Sequence, residues 1–298
     1  MPTIHYTACP ACGSTSLRPA ITAKDYTVSG EVFSIVECGD CTLRFTQDVP
    51  SQENIGKYYQ SSAYISHTDT REGIINSVYH RVRNHTLEQK KKLIAGTIGK
   101  SSARLLDIGA GTGAFASYMQ RGGWEVTALE PDAVTRRRAM EINKQILLPA
   151  ENLYSLPKSS FYAITMWHVL EHVHTLHEYL AQISTLLADG GYLFIAVPNY
   201  TSEDARYYRE FWAAYDVPRH LYHFSPASMR SLVEKHGLTV TDIKPMWFDS
   251  FYVSMLSEQY KNGKARNIYA FFEGLKSNLA AIQQQDKCSS LIYLIKKK

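Results

Sequence analysis

The chain has 298 residues, of which 45% are hydrophobic and 20% are charged, and its formal net charge is +4. This length permits one sizeable core and a small accessory module, and the composition is typical of a globular protein. The small charge is too little to indicate a nucleic-acid binder, which needs basic residues clustered on one face. No signal peptide and no apolar run of about 18 residues is recognised, so no membrane span is predicted and a cytoplasmic protein is expected.

Four of the five cysteines form two C-x2-C pairs, Cys9 with Cys12 and Cys38 with Cys41. Two such pairs can close a tetrahedral site in which four thiolates bind Zn²⁺. Cysteines spaced for metal binding rather than for disulfides indicate a reducing compartment. Four protein ligands leave no open position for a substrate, so the metal is expected to be structural. We therefore predict a zinc ribbon over residues 1–47, a module too small to fold without such support.

The next segment, residues 48–102, is predicted to be a helical connection or cap. Apolar residues recur near helical spacing from Ile74 to Ile98. This pattern favours one amphipathic helix that packs on a neighbouring domain.

From Ala103 onward, short apolar runs alternate with helical patterns, as in a doubly wound α/β fold. One helix is predicted to begin with Ser225 as N-cap and Pro226 in its first turn. The predicted strands are, in chain order, Arg104–Ile108, Glu125–Leu129, Gln145–Leu148, Tyr162–Met166, Tyr192–Val197, Leu238–Met246 and Ser289–Ile295.

The first of these strands runs into a turn with three alternating glycines, Asp-Ile-Gly-Ala-Gly-Thr-Gly from Asp107, and a helical pattern follows. Glycines let a ligand approach the backbone, and a helix N-terminus offers free N–H groups to an anionic group. Gly109, Gly111 and Ala114 fit the dinucleotide pattern G-x-G-x-x-G/A, and Glu130 is placed to accept ribose hydroxyls. NAD and S-adenosylmethionine (SAM) both carry such a ribose, so these residues alone leave two cofactors open.

Four segments in sequence order resemble the class I SAM-dependent methyltransferases, in the family that includes ubiquinone-biosynthesis O-methyltransferases and many sugar and natural-product methyltransferases. They are Asp107–Gly113, Leu129–Pro131, Trp167–Val173 and Leu187–Leu193. The resemblance covers residues 103–247. It implies SAM as the cofactor and a seven-stranded Rossmann-like sheet whose last strand is antiparallel.

Residues 103–298 are then expected to be one methyltransferase domain, with insertions at about 199–224 and 248–287. Carried over by position, the resemblance also assigns the SAM contacts. It implies that the methionine end of SAM lies on Asp107, Gly109, Gly111 and Gly113, the ribose on Glu130, the adenine near Ala150 and Glu151, and that Trp167 lies along the edge of the fourth strand. His168 is expected either to line the pocket or to pack, and His172 is expected to be structural.

The segment 211–225 is the region in which such enzymes commonly build their acceptor pocket. An oxygen acceptor must lose a proton, and histidine titrates in the range suited to this task. His220 or His223 is the predicted base, with Asp216 as the residue that orients it. The alternative is that Asp216 and Arg219 form an ion pair that holds the loop.

We therefore predict a SAM-dependent methyltransferase that acts on a small or medium metabolite, such as a sugar or a cell-envelope precursor. One alternative is an RNA methyltransferase that grips its substrate with the zinc ribbon. The ribbon has few basic residues and more acidic ones, which disfavours phosphate binding. Another alternative is a non-catalytic SAM-fold protein whose ribbon binds a partner, and the intact glycine turn argues against it.

Overall fold

A computed structural model of the protein describes residues 2–60, 74–264 and 266–298, with the side chains of residues 74–82 and 267 left aside. The chain divides into two compact units. The ribbon unit contains Met1–Tyr64, His168–Leu180 and Ile195–Leu294, and the glycine-turn unit contains Ile65–Trp167, Ala181–Phe194 and Ile295–Lys298. None of the described helices is both long and apolar enough to cross a lipid bilayer.

Strands and helices are labelled in chain order. The strands are β1 (Thr3–Ile4), β2 (Leu17–Lys24), β3 (Val32–Cys38), β4 (Arg44–Thr46), β5 (Val49–Pro50), β6 (Arg104–Ile108), β7 (Glu125–Leu129), β8 (Phe161–Trp167), β9 (Leu187–Pro198), β10 (Tyr222–His223), β11 (Leu238–Pro245) and β12 (Ser290–Lys297). The helices are α1 (Ile74–Ile98), α2 (Ala114–Arg121), α3 (Ala133–Asn143), α4 (Leu176–Leu186), α5 (Glu203–Tyr208), α6 (Pro226–Glu234), α7 (Asp249–Asn262) and α8 (Asn267–Gln283).

The central feature of the ribbon unit is an antiparallel hairpin of β2 and β3, in which Leu17 lies opposite Cys38 and Lys24 opposite Val32. Asp25 forms the turn between the strands, because its carboxylate accepts hydrogen bonds from the backbone N–H groups of Thr27 and Ser29. The hairpin belongs to a four-stranded sheet of order β10-β4-β3-β2. A two-residue strand from the second half of the chain therefore completes the sheet of the N-terminal ribbon.

The insertion at 248–287 forms two helices in the ribbon unit, α7 and α8. Their facing sides carry a hydrogen bond from Ser250 to Asn278 and a stacked pair of rings, Phe251 and Phe271, with centroids 5.3 Å apart. Asp204 is buried at the start of α5. Its Oδ2 atom accepts hydrogen bonds from the indole of Trp212 and from the hydroxyl of buried Ser289. Trp212 and Tyr208 also pack in one buried cluster with Phe33 and Ile35 of β3, so these elements share a core with the sheet of the ribbon.

The main sheet confirms the doubly wound α/β class. It has six strands in the order β11-β12-β9-β8-β6-β7, and β6 is parallel to both β7 and β8. Parallel strands with buried residues on both faces are typical of sheets covered by helices, and β6 is almost wholly buried. Because these three strands are parallel, their carboxyl ends meet at one edge of the sheet.

Two details of the predicted sheet can be compared with the structure. The predicted third strand, Gln145–Leu148, forms only one isolated parallel bridge, from Leu148 to Leu129, so the described residues form a main sheet of six strands and not seven. Pro149 follows directly and has no N–H group with which to extend the pairing. The last strand is present as β12, and hydrogen bonds join Met246 to Ser290 and Thr241 to Leu294. This opposite progression makes β12 antiparallel to β11.

Candidate functional site

The glycine turn connects β6 to α2 and has a backbone that only glycine adopts easily. Gly109, Gly111 and Gly113 have φ angles of 70°, 55° and 73°, in the left-handed region that is strained for residues with a Cβ atom. A Cβ atom on Gly113 would also lie 2.9 Å from the Cβ atom of Gln145, whereas one on Gly111 would meet nothing within 4 Å. Gly113 is thus fixed by packing, and Gly111 leaves open space for a ligand.

Asp107 lies in β6, directly before the glycine turn, and is 1% exposed. Its Oδ1 atom accepts a hydrogen bond of 2.7 Å from Thr165 in β8. Its Oδ2 atom is buried and has no hydrogen-bond partner among the described residues. Burial raises the pKa of Asp107 to about 7 against the opposing hydrogen bond from Thr165. A buried acceptor without a protein partner can be satisfied by a water molecule or by a donor from a ligand.

Glu130 follows β7 at the same edge of the sheet and closes the turn from the other side. Its Oε2 atom accepts a 2.8 Å hydrogen bond from Gly111 N, and its Oε1 atom accepts one of 3.1 Å from Asp132 N. Burial raises the pKa of its carboxyl group above the usual value. A carboxylate has about four acceptor positions, so two backbone donors leave room for the hydroxyl groups of a ribose.

The other predicted cofactor residues surround this edge within the glycine-turn unit. Trp167 ends β8, its ring meets that of Phe115 edge-on at 5.6 Å, and the Lys90 ammonium lies 4.0 Å from its centroid. The indole Nε1 atom of Trp167 is buried without a partner among the described residues. Ala150 and Glu151 begin a short 3-10 helix, in which Glu151 is exposed. The edge thus combines unpaired polar atoms with an aromatic wall.

The four cysteines come together in the ribbon unit. The sulfur atoms of Cys9, Cys12, Cys38 and Cys41 lie within 4.8 Å of one another, and the Sγ atoms are 3.5 Å apart in the pairs Cys9–Cys41 and Cys12–Cys38. A tetrahedral site with Zn–S distances of about 2.3 Å has edges of roughly 3.8 Å. The donor set and its spacing therefore fit a Zn–S4 centre.

Histidines and acidic residues form a second cluster in the ribbon unit. This polar cluster consists of His168, Glu171, His172, Asp216, Arg219 and His220. Its members hydrogen-bond to one another or lie within ion-pair distance. Two of them, His168 and Asp216, have φ angles of 57° and 36°, and left-handed backbone at residues other than glycine is concentrated at functional sites.

His168 bridges two carboxylates. Its Nε2 atom is 2.9 Å from Asp249 Oδ2, and its Nδ1 atom is 3.4 Å from Glu171 Oε1. Burial alone would lower the pKa of His168, but Asp249 and Glu171 outweigh it and raise that pKa to about 10. The ring is therefore a cation at neutral pH and cannot serve as a base there.

Arg219 holds Asp216 in place. The guanidinium group donates to both carboxylate oxygens of Asp216 at 3.0 and 2.6 Å, to Asp25 at 3.0 Å and to the Tyr58 carbonyl at 2.8 Å. Burial raises the pKa of Asp216, but the hydrogen bonds from Arg219 and the nearby histidines bring that pKa below its usual value. This ion pair is the loop-holding arrangement that is the alternative to a catalytic role for Asp216.

The two predicted bases have different surroundings. The Nδ1 atom of His220 is 2.9 Å from the Ala214 carbonyl, and its Nε2 atom is 3.9 Å from Asp216 Oδ2. His223 lies in β10, and its Nε2 atom is 3.1 Å from the hydroxyl of Thr46. Burial and the neighbouring His220 hold the pKa of His223 well below its usual value. The structure thus brings His220 and Asp216 together and places His223 in the sheet of the ribbon.

Glu171 was not among the site residues predicted from the sequence. It is completely buried, yet neither carboxylate oxygen has a hydrogen-bond partner among the described residues. A charge buried among apolar neighbours is costly unless it is compensated. In the sequence it stands between His168 and His172. The structure places its carboxylate 3.4 Å from His168, and its backbone carbonyl accepts a hydrogen bond from Leu221 N.

Comparison with known proteins agrees with this geometry. Residues 79–243 match the family model Methyltransf_23, described as a methyltransferase domain. The ubiquinone biosynthesis O-methyltransferase of Aeromonas salmonicida is 29% identical over 203 residues, which cover 62% of this chain and 80% of that protein. The enzyme of the same name from Nitrosococcus oceani is 28% identical, over 65% of this chain and 81% of its own length.

Solved structures that align with this chain include a SAM-dependent methyltransferase from Archaeoglobus fulgidus, at 20% identity and a TM-score of 0.47, with 71% of this chain and 94% of that chain covered. Another is the 1,6-didemethyltoxoflavin-N1-methyltransferase of Burkholderia thailandensis, at 16% identity and a TM-score of 0.46, with 93% and 100% covered. The family match spans more than half of the chain and includes the glycine turn, Glu130 and Trp167. The chain therefore belongs to the class I SAM-dependent methyltransferases.

Proposed function

We propose that this methyltransferase transfers a methyl group from SAM to an oxygen atom of a small or medium metabolite. The observation that carries the proposal is the edge of the sheet at the glycine turn. There Asp107 Oδ2 and Trp167 Nε1 are buried without partners among the described residues, and Glu130 keeps free acceptor positions. The names of the curated relatives support an oxygen acceptor of small size. A sugar or cell-envelope precursor remains the narrower prediction.

Each cofactor residue has a proposed task. Asp107 Oδ2 would accept from the ammonium group of the methionine end, and the glycine turn (Gly109, Gly111 and Gly113) would let the backbone come close to it. Glu130 would accept the ribose hydroxyls, Ala150 and Glu151 would flank the adenine, and Trp167 would form a wall. Bound SAM would supply a methyl group on a sulfonium, so holding donor and acceptor in line is the main task of these residues.

An acceptor hydroxyl must also lose its proton. His220 is the proposed residue for this step, because its Nε2 atom makes no hydrogen bond among the described residues. The Ala214 carbonyl would orient the ring through Nδ1, whereas Asp216, the predicted orienting residue, lies 3.9 Å from the same Nε2 atom and is bound by Arg219. His223 remains an alternative, with the difference that its Nε2 atom faces Thr46. Replacement of a working base typically lowers the rate by about 10²- to 10⁴-fold, so kcat of His220→Ala and His223→Ala would distinguish the two.

The four cysteines are proposed to bind one structural Zn²⁺ ion. Their spacing supports this, and four thiolates leave no coordination position for a substrate. The metal would then stabilise the ribbon and take no part in methyl transfer.

Calorimetric titration tests the cofactor. We expect SAM and its demethylated product to bind and NAD not to bind, and binding of NAD alone would overturn the proposal. Glu130→Ala should weaken SAM binding about ten- to a hundredfold, because hydrogen bonds to a charged group contribute about 1.5–3 kcal/mol each. Glu125→Ala is the matched control, since Glu125 lies at the exposed start of β7.

The acceptor class needs a separate assay. SAM labelled in its methyl group is incubated with the enzyme and with either a small-metabolite fraction or RNA. Label in the small-metabolite fraction is expected. If the label were confined to RNA, the acceptor would be a nucleic acid and not a small metabolite. If neither fraction were labelled, a non-catalytic protein would be favoured.

A further inference from the structure

We propose that Glu171, His172 and His220 form a binding site for a divalent metal ion, distinct from the four-cysteine centre. One ligand atom from each of the three residues lies within 4.8 Å of the other two. Glu171 and His172 are adjacent in the short 3-10 helix that follows β8, and His220 comes from the segment before β10. All three belong to the ribbon unit, so the site is complete within one compact part of the chain.

The hydrogen bonds of the two histidines prepare them for metal binding. His172 Nδ1 is 3.0 Å from the carbonyl oxygen of Arg219, and His220 Nδ1 is 2.9 Å from that of Ala214. A carbonyl oxygen only accepts, so each Nδ1 atom carries the proton and each Nε2 atom presents its lone pair. Histidines that bind metals commonly donate their other ring N–H to a backbone carbonyl in this way.

The two rings also lie close together without a hydrogen bond between them. Their centroids are 4.6 Å apart and their planes are nearly perpendicular, at 78°. The hydroxyl of Tyr59 is 3.0 Å from His172 Nδ1, on the side of the ring that carries the proton. Both rings are thus held through their Nδ1 atoms, and the Nε2 atom of His220 has Asp216 Oδ2 as a neighbour at 3.9 Å.

Glu171 supplies the independent observation. It is fully buried, and neither of its carboxylate oxygens accepts a hydrogen bond from any described residue. His168 lies at ion-pair distance, 3.4 Å from Oε1, but that ring is also 2.9 Å from Asp249. The carboxylate therefore keeps acceptor positions on both oxygens, and a cation bound between it and the two imidazoles would use them.

The donor set indicates the kind of ion. Two imidazoles and one carboxylate are the ligands of catalytic zinc sites and of non-haem iron sites, and they leave positions open for an oxygen ligand. The four-cysteine centre has no such open position. The two sites thus suit different tasks, and only the Glu171 site suits a substrate.

The role of this ion rests on the proposed function, whereas its binding does not. A metal ion lowers the pKa of a bound hydroxyl group, so the acceptor would release its proton to water. The acceptor oxygen then forms the O–CH₃ bond, the S–CH₃ bond of SAM breaks, and the demethylated cofactor leaves. His220 would then act as a metal ligand and would promote loss of the proton through the ion.

Manganese is the probe that separates this site from the cysteines, because thiolates favour softer metals. The full-length protein, purified with zinc and freed of loosely held metal, is titrated with Mn²⁺ without SAM, and free Mn²⁺ is followed by electron paramagnetic resonance. We expect one Mn²⁺ per chain, displaced by one equivalent of Zn²⁺. Glu171→Gln and His172→Gln should each weaken binding at least tenfold, and His85→Gln, on the exposed part of α1, should not.

Absence of Mn²⁺ and Zn²⁺ binding outside the cysteine centre would overturn the inference, as would equal weakening by His85→Gln. Because Glu171→Gln could misfold, Glu171→Asp provides a second variant, in which the charge is kept and the carboxylate is withdrawn by one methylene group. SAM titration of the same proteins separates the two proposals. Metal binding without SAM binding would refute the proposed function alone, and SAM binding without metal binding would refute this site alone.

Discussion

At the scale of single residues, three side chains of the proposed sites carry buried polar atoms that lack partners among the described residues, a property shared by a few side chains outside those sites, such as Trp124 and Tyr293. Asp107, Trp167 and Glu171 each bring such an atom to a strand end or directly after one. The resemblance to known methyltransferases predicted the first two by position, because they lie in motifs that follow the strands. Glu171 could not be recognised in the sequence, since its lack of partners depends on residues that are distant along the chain.

Asp107 also gives a pH-dependent prediction. Its pKa is raised to about 7 in the folded protein by burial, whereas an aspartate in an unfolded chain titrates near 3.9. Its contribution to stability is thus fully present below about pH 4 and is lost as the pH rises through about 7, by up to about 1.4 kcal/mol per unit. Urea unfolding of the protein without SAM should therefore show Asp107→Asn gaining stability over the wild type between pH 4.5 and pH 7.

The control for this measurement is Asp189→Asn, because Asp189 is exposed. The difference in free energy of unfolding between Asp189→Asn and the wild type should stay constant over the same pH range. If the difference in free energy of unfolding between Asp107→Asn and the wild type were also constant, the elevated pKa of Asp107 would be contradicted.

At the scale of elements, the sequence predicted most reliably where local patterns decide the structure. The predicted bounds of β6, of β7 and of the helix at Ile74–Ile98 agree with the structure to the residue, because apolar periodicity and glycines define them. The helix after Ser225 has the expected cap, completed by a capping box with Ser228. The prediction of a third strand at Gln145–Leu148 was wrong because further pairing would need a backbone N–H group that Pro149 lacks. Strand β10 was not predicted because it pairs with β4, which is far away in the chain.

The turn between β6 and α2 provides the prediction at this scale. Gly113→Ala should destabilise the protein by about 1–2 kcal/mol through its left-handed backbone and by about 1–3 kcal/mol more through overlap with Gln145. Gly237→Ala is the matched control, since Gly237 has a φ of 68° and a Cβ atom added there would meet nothing within 4 Å. In thermal unfolding, Gly113→Ala should have a lower Tm than Gly237→Ala. An equal loss of Tm in the two variants would show that packing against Gln145 is unimportant.

At the scale of the whole molecule, the ribbon is joined to later parts of the chain by side-chain contacts. Asp25, in the turn of the ribbon hairpin, binds Arg219, and the hydroxyl of Thr46 donates to the carbonyl of His220. Both contacts reach the segment that carries the polar cluster. Sequence patterns could predict the ribbon and the cluster separately, but they could not show that one supports the other.

Loss of the proposed zinc should therefore affect more than the ribbon. The double substitution Cys9→Ser and Cys38→Ser removes two of the four thiolates, and a small module depends on its metal for folding. We expect one zinc fewer per chain by elemental analysis, and faster hydrogen exchange in β2, in β3 and in the segment 216–223. Cys288→Ser, a buried cysteine outside the centre, should keep its zinc. Retained protection in 216–223 after zinc loss would show that this segment holds its structure without the ribbon, and that the contacts of Asp25 and Thr46 are dispensable for the polar cluster.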